Sequence, residues 1–398
     1  VRVLCLSTLF PSPARASFGK FVANQMQAVA ACSDVEVVVV NPIGLPSWPL
    51  RLREPYRSLA ACPATSQLGG IDVYHPRFPL IPVIGGGSNP RRIAHAVLPL
   101  VRRMHAERPF DLVDAQFFFP DGPAVQRIAE ALGLPFSIKA RGSDIHYWGG
   151  RPRARIQMVA AARAAGGMLA VSEALRRDMA ALGFPTDKIQ VHYTGLDHAR
   201  FKPVPRQQAR AGLVELLGMT VSGDTPLLVC PGALIAIKGQ RLAIQALADI
   251  PRAQLALAGS GGDEAALRKL VAELGFTDRV HFLGQVSHDK LPTLMSAADV
   301  VVLPSEREGL ANAWIEALAC GAPLVIPDIG GAGEVVRSAA AGRIAARDPG
   351  AIAVAVNELL ADPPGQAAVA ADAARFSWDA NAGELANYWR SLTSTKRN

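Results

Sequence analysis

The sequence predicts an α/β protein made of two Rossmann-like halves, and three observations carry that expectation. Short β-branched runs alternate with alanine-rich amphipathic stretches along the chain, the pattern of βαβ units wound around parallel sheets. At 398 residues the chain exceeds the size at which a single core keeps growing, so two domains are expected. A stretch without clear periodicity, residues 194–226, interrupts the alternation; it holds Pro203, Pro205 and the turn-rich Ser222-Gly-Asp-Thr-Pro226, and reads as a linker.

In the first half, strands are expected at residues 3–6, 35–40, 71–74, 112–115, 136–140, 167–171 and 189–192. Helices are expected there at 18–31, 89–106, 123–132, 151–165 and 173–181. The second series has strands at 227–230, 255–258, 280–283, 300–303 and 324–326, with helices between them. The resulting domains are residues 1–200 and 201–375, and an amphipathic terminal segment at about 376–393 is expected to cross back onto the first. In such sheets ligands bind outside the carboxyl ends of the strands, here in a cleft between the halves.

Composition narrows the function classes. Half of the residues are hydrophobic and 19% are charged, with no low-complexity tract, so the chain folds. No uninterrupted apolar run reaches about 18 residues, the length a spanning helix needs. The start, Val1-Arg-Val-Leu-Cys-Leu-Ser7, reads as a first strand rather than a signal peptide, because Pro11 and Pro13 follow at once. The five scattered cysteines form no C-x-x-C pair and read as reduced core residues of a cytoplasmic protein. The net charge of +7 is uneven: residues 1–200 hold 23 basic against 14 acidic residues, and the remainder 18 against 20. The first half therefore favours an anionic partner. No nucleic-acid recognition motif or aromatic stacking platform accompanies that charge, so nucleic acid is not expected. One basic amphipathic stretch, residues 89–108, either rests on anionic lipid at a membrane surface or packs on the core with a wet basic face.

The most informative segment is Pro304-Ser-Glu-Arg-Glu-Gly-Leu-Ala-Asn-Ala-Trp-Ile-Glu316. An apolar strand ends just before it, Gly309 frees the backbone, and a short helix follows whose first amides favour an anion such as a phosphate. Glu308 lies before that helix and Glu316 about a turn inside it, so both can accept hydroxyl hydrogen bonds beside a bound phosphate. Together these features outline a sugar-nucleotide site, the bland alternative being a solvated surface pair. Lys238, in a loop after the strand at 227–230, supplies a cation within reach of a diphosphate. No Asp-x-Asp triplet occurs, so no metal and no cofactor is predicted.

From Val191 to Gly342 the chain resembles the family 4 glycosyltransferases, retaining enzymes of GT-B architecture with two Rossmann-like domains facing across a cleft. The pieces that carry the resemblance stand in the family's order. They are His192-Tyr-Thr-Gly-Leu-Asp197 with Phe201-Lys-Pro203, Gly232-Ala-Leu-Ile-Ala-Ile-Lys-Gly239, Leu257-Ala-Gly-Ser-Gly261 and Val280-His-Phe-Leu-Gly284. Ala297-Ala-Asp299, the Glu308/Glu316 segment, Ala317-Leu-Ala-Cys-Gly-Ala-Pro323 and Gly330-Gly-Ala-Gly-Glu334 complete them. The first half matches more loosely through Gly19-Lys-Phe-Val22, Phe119-Pro-Asp-Gly122 and Arg141-Gly-Ser-Asp-Ile145.

The resemblance implies that Glu308 holds the donor sugar, that Glu316 holds the nucleotide ribose, and that the backbone of Gly309, Leu310 and Ala311 approaches sugar and phosphates. It places Val286 beside the base and Gly19 in a loop over the phosphates, although a plain turn also explains Gly19. Asp144 follows the strand at 136–140 and either faces the sugar or acceptor or caps a helix. Two positions depart from the family habit: Ala233 stands where an arginine is common, and Gln116 where a histidine is common. The implied activity is transfer of a hexose, with retention and without metal, from a nucleoside-diphosphate sugar to a carbohydrate or lipid-linked acceptor. A nucleotide-sugar epimerase and a non-catalytic partner subunit of the same fold are the rival expectations.

Overall fold

The structure, a computed structural model, describes residues 1–394 except Ser17, Ser33, Ile84, Ser222 and Gly223, and all their side chains but those of Leu216 and Leu217. The Ser222-Gly223 turn of the expected linker lies outside the described residues. The chain divides into two compact units: Val1–Gly195 together with Trp378–Asn398, and Leu196–Ser377.

Unit 1 is built on ten strands: β1 (Arg2–Leu6), β2 (Glu36–Val40), β3 (Ile43–Leu45), β4 (Thr65–Leu68), β5 (Ile71–Tyr74), β6 (Arg77–Pro79), β7 (Leu112–Ala115), β8 (Phe136–Ala140), β9 (Gly167–Ala170) and β10 (Ile189–Val191). Eight of them form one sheet in the order β10-β9-β8-β7-β1-β2-β5-β4, and β3 pairs with β6 separately. All neighbours in the large sheet run parallel except β4, which returns antiparallel to β5. The strands Leu112–Ala115, Phe136–Ala140 and Gly167–Ala170 are buried throughout, as expected of a parallel sheet covered by helices on both faces.

Unit 2 holds β11 (Leu227–Pro231), β12 (Gln254–Ala258), β13 (Val280–Phe282), β14 (Val300–Val302), β15 (Leu324–Ile326) and β16 (Gly342–Ile344). They form one sheet in the order β13-β12-β11-β14-β15-β16, every pair parallel. The chain starts at β11, winds outward through β12 and β13, then returns to lay β14 on the other side of β11. That reversal makes the carboxyl ends of β11 and β14 a topological switch point, the place where open α/β sheets bind ligands.

Two elements position the rest. The terminal helix Trp378–Ser394 packs in unit 1 against the helix Lys20–Ala30, and its Leu385 and Trp389 are fully buried with Val3, Val22 and Met26 in one core. The stretch expected to be a linker contains the helix Arg206–Leu217, a correction to the sequence reading. Its Ala209 and Leu213 are buried, and Arg210 donates to the Asp299 carboxylate at 2.5 Å and to the Ala297 carbonyl at 3.2 Å. Asp299 also accepts from the Leu227 amide at 2.7 Å, so the Ala-Ala-Asp triplet serves to fasten this helix to the start of β11. No helix among the described residues is long and apolar enough to cross a membrane.

Candidate functional site

In unit 2 the loops after β11 and β14 are pressed together by backbone contacts. Glu306 donates its amide to the Ile237 carbonyl at 2.7 Å. Gly239 adopts φ +73°, and a Cβ there would stand 2.3 Å from the Pro304 carbonyl oxygen, so only glycine permits this approach. The loop after β15 braces Glu308 in the same way: Gly330 has φ +48°, and a Cβ would lie 2.2 Å from the Glu308 carbonyl oxygen. Gly331 then donates to the Gly309 carbonyl at 2.8 Å. These glycines therefore serve tight turns, and the turns fix the Glu308 backbone.

With the backbones so held, two residues singled out from the sequence meet. Lys238 Nζ donates to Glu308 Oε1 at 2.5 Å, and the side chains retain 26% and 14% of their exposure. The pair is enclosed enough to be ordered and open enough to be reached. After Glu308 the chain passes through buried Gly309 and Leu310 and enters the helix Asn312–Ala319, which starts three residues later than Gly309. Ala311 is its N-cap in an extended conformation (φ −73°, ψ 125°) with no side chain capping the first turn. The Trp314 amide donates to the Ala311 carbonyl at 3.0 Å, while the Asn312 and Ala313 amides make no hydrogen bond among the described residues and are open to an outside acceptor. Glu316 sits in the second turn, half-buried, and its carboxylate makes no hydrogen bond among the described residues. Burial alone pushes it up to about 7. Val286 lies half-buried in the loop after β13, where Gln285 Nε2 reaches Ser260 Oγ at 3.1 Å. The unit 2 residues Lys238, Glu308, Gly309, Leu310, Ala311, Glu316 and Val286 thus all lie in or just beyond loops at the carboxyl ends of strands.

The unit 1 residues are placed differently. Gly19 has φ +69° at the N-cap of the helix Lys20–Ala30, and a Cβ there would meet the Leu9 carbonyl oxygen at 2.3 Å. Asp144 is fully buried, and its oxygens accept from the amides of Phe118 (2.6 Å), Arg141 (3.0 Å), Gly142 (2.8 Å) and Ile145 (3.1 Å). This is the capping arrangement: the carboxylate organises the loops after β7 and β8 and presents no free oxygen. Asp121, also fully buried, accepts from the Thr8 amide at 2.9 Å and the Thr8 hydroxyl at 2.8 Å. Burial, with Asp144 adding like charge, pushes it up to about 7.

Sequence reasoning missed a buried polar chain in this unit. Gln116, the departure from histidine, bonds both Asp114 and Arg141; Arg141 reaches Gln25 at 2.7 Å, and Gln25 reaches Asn381 of the terminal helix at 2.7 Å. Lys139, fully buried, meets His192 Nδ1 at 2.7 Å while His192 Nε2 meets the Asn381 carbonyl at 2.9 Å. Burial holds both the Lys139 amine and the His192 ring well below their ordinary ranges. The signal available in the sequence was a lysine inside the strand Phe136–Ala140, where no exposed face exists. Among the described residues, no three His, Cys, Asp or Glu side chains are placed to hold a metal.

Comparison with known proteins supplies the class. The model of "Glycosyltransferase Family 4" matches residues 16–200 and that of "Glycosyl transferases group 1" residues 220–376. The chain is 29% identical over 342 residues to the Bacillus subtilis protein assigned to teichuronic acid biosynthesis as glycosyltransferase TuaC, covering 83% of this chain and 82% of that one. It is 34% identical over 211 residues to the GDP-mannose-dependent α-(1-6)-phosphatidylinositol monomannoside mannosyltransferase of Mycolicibacterium smegmatis, a match that spans 50% of this chain and 54% of that protein. Among solved structures, sucrose-phosphate synthase from Thermosynechococcus elongatus superposes with a TM-score of 0.81 at 20% identity, over 99% of this chain and all of that one. HepE of Anabaena, solved with UDP and glucose, superposes with a TM-score of 0.73 at 22% identity, over 98% and 99%. The chain belongs to the family 4 glycosyltransferases of GT-B architecture.

Proposed function

We propose that the protein moves a hexose from a nucleoside-diphosphate sugar to an acceptor hydroxyl with retention of anomeric configuration and without a metal ion. The observation that carries this reading is the Lys238–Glu308 pair at the switch point of unit 2, next to a helix start without a side-chain cap and a Glu316 carboxylate that makes no hydrogen bond among the described residues. Breaking the sugar–phosphate bond builds negative charge on the departing diphosphate and oxocarbenium character on the sugar. Fixed donors that meet this charge without reorganising give the largest available help. The Lys238 ammonium and the Asn312 and Ala313 amides are such donors, and the glycine-braced loops hold them in place before the donor arrives. Glu308 accepts from sugar hydroxyls and also orients Lys238. Glu316 accepts from the ribose, and Val286 and the 309–311 backbone line base and sugar. Attack from the leaving-group side, with the diphosphate oxygen taking the acceptor proton, keeps the configuration and uses no protein nucleophile.

In unit 1, Gly19 contributes a rigid turn and Asp144 positions backbone rather than touching the sugar. A GDP-mannose-dependent relative and a structural neighbour solved with UDP and glucose support a nucleoside-diphosphate hexose as donor. The acceptor is assigned as a carbohydrate or lipid-linked saccharide of the cell surface, glycosylated on the cytoplasmic side. The helix Asn89–Glu107 buries Ile93, Val97, Val101 and Met104 and leaves Arg91, Arg102 and Arg103 exposed, so its outer face suits an anionic lipid surface.

Calorimetry with UDP-, GDP- and ADP-hexoses tests the donor site, and one of them is expected to bind with equal affinity in EDTA. NMR of the product linkage then reads the anomeric configuration. Binding of none of the three, or an inverted product, overturns the proposal. A free epimerised nucleotide sugar formed from donor alone would favour the epimerase.

A further inference from the structure

A cavity of about 280 Å³ opens in unit 1 at the carboxyl ends of β1 and β2, and the donor reading makes no use of it. One wall is apolar, formed by Phe10, Ile43, Leu59, Phe78 and Leu80. The polar lining comes from Thr8, Ser12, Arg15, Asn41, Tyr56 and Asn89. The Asn89 side-chain oxygen is buried with no hydrogen bond among the described residues. Asn41 donates its amide hydrogens to the carbonyls of Phe10 (3.0 Å) and Pro11 (3.3 Å), which leaves its own oxygen without a partner among the described residues. Thr8 gives its hydroxyl proton to Asp121 and so offers lone pairs. Arg15 is exposed at the rim, and its guanidinium makes no ion pair or hydrogen bond among the described residues.

These groups define a ligand by complement. The buried, unmet Asn89 oxygen calls for a hydroxyl donor, because a buried polar atom without a partner is unfavourable, and the open lone pairs of Asn41 and Thr8 can accept from others. The apolar wall suits the C–H face of a sugar ring. The Arg15 guanidinium, 5.6 Å over the Phe18 ring and without an ion pair among the described residues, calls for a carboxylate or phosphate. The volume lies at the lower end for ligand pockets and suits a single ring rather than a chain. We propose that this cavity recognises one anionic sugar unit of the acceptor, a pyranose carrying a carboxylate or phosphate, with Arg15 on the anion and Asn41 and Asn89 accepting from ring hydroxyls. The assignment of this unit to the acceptor rests on the transferase reading.

The test needs no turnover. Full-length protein is titrated with glucuronate, glucose 1-phosphate, methyl glucoside and inorganic phosphate, followed by ligand-observed NMR or calorimetry. The two charged sugars separate carboxylate from phosphate, and at least one is expected to bind about tenfold more tightly than methyl glucoside. Inorganic phosphate alone is expected to bind more weakly than that sugar. Arg15→Gln should bring the charged sugar down to the level of methyl glucoside, and Asn89→Leu should weaken every sugar. Both should leave the affinity for nucleoside diphosphate unchanged. Arg15 is exposed, so its replacement does not threaten folding, and a thermal melt checks Asn89→Leu. Equal binding of charged and neutral sugars, no sugar binding at all, or a loss confined to the nucleotide overturns the assignment. Nucleotide titration of the unaltered protein reports on the donor site separately.

Discussion

Glu316 carries the clearest pH signature at the scale of single residues. Its carboxyl lies near 7 in the folded chain against an ordinary 4.5, because burial disfavours the charged form. The folded state therefore holds this proton more tightly than the unfolded state. The resulting stabilisation is fully present below about pH 4.5 and is lost as pH rises through about 7. Binding runs the opposite way, since only the carboxylate accepts from two ribose hydroxyls. Donor affinity should therefore rise between pH 6 and 8. Glu316→Gln should flatten both profiles, raise the melting temperature at pH 8 and weaken the donor. Calorimetry and thermal melts across that range check this, and an unchanged pH profile in the variant would remove Glu316 from the site. The Lys238–Glu308 pair makes a second residue-scale prediction. Lys238→Met should lower kcat by about 10² to 10³, the loss seen when one donor to a developing charge is removed. Glu308→Gln should do comparable damage, and the double variant should fall well short of the sum, because the two act as a unit. Additive losses in steady-state kinetics would mean that the pair does not work jointly.

Elements decide whether such residues meet. Lys238 and Glu308 are 70 positions apart, and they touch only because β14 is laid beside β11 and glycines allow the loops to close. Replacing Gly330 by alanine puts a methyl 2.2 Å from the Glu308 carbonyl oxygen in a left-handed conformation. The expected cost is about 1–3 kcal/mol in urea unfolding, together with reduced transfer as the Glu308 loop is displaced. Gly333→Ala, where nothing lies within 4 Å of the new Cβ, is the matched control and should be silent. This dependence also explains which parts of the chain were legible beforehand. Leu112–Ala115, Phe136–Ala140 and Leu324–Ile326 are expected and found with the same boundaries because strands buried on both faces leave a continuous signal, and Ile71–Tyr74 because its buried Ile71 and Val73 alternate with the exposed Asp72. Thr65–Leu68 is not expected, because it is a polar edge strand whose residues are exposed or half-buried. The helix Arg206–Leu217 is not either, since its hold on Asp299 is tertiary and Pro203 and Pro205 resemble linker punctuation. Glu308, Glu316 and Lys238 were legible as motif residues. The saturation of Asp144 by backbone amides was not, because amide partners leave no trace in residue identity.

At the scale of the whole molecule, the chain leaves unit 1 at Gly195 and re-enters it at Trp378, so unit 1 is built from two segments separated by all of unit 2. The last helix belongs to the first core: Trp389 is fully buried among Val3, Val22 and Met26, and its indole nitrogen donates to Asp114 at 3.3 Å. Asn381 from the same helix closes the chain of polar contacts through Gln25 to Arg141 and also receives His192. Unit 2 has a separate core centred on Leu228, Leu255, Val300 and Val325. A lesion in the terminal helix should therefore act on one unit and spare the other. Trp389→Ala is expected to cost about 3–5 kcal/mol, the loss typical of a large buried aromatic, and to split urea unfolding into two steps. The early step should be the unfolding of unit 1. The later one should still shift to higher urea when nucleoside diphosphate is added, since linkage stabilises whichever unit holds the ligand. A single transition moved as a whole would mean that the two cores unfold cooperatively, and a nucleotide shift confined to the early step would move the donor site out of unit 2.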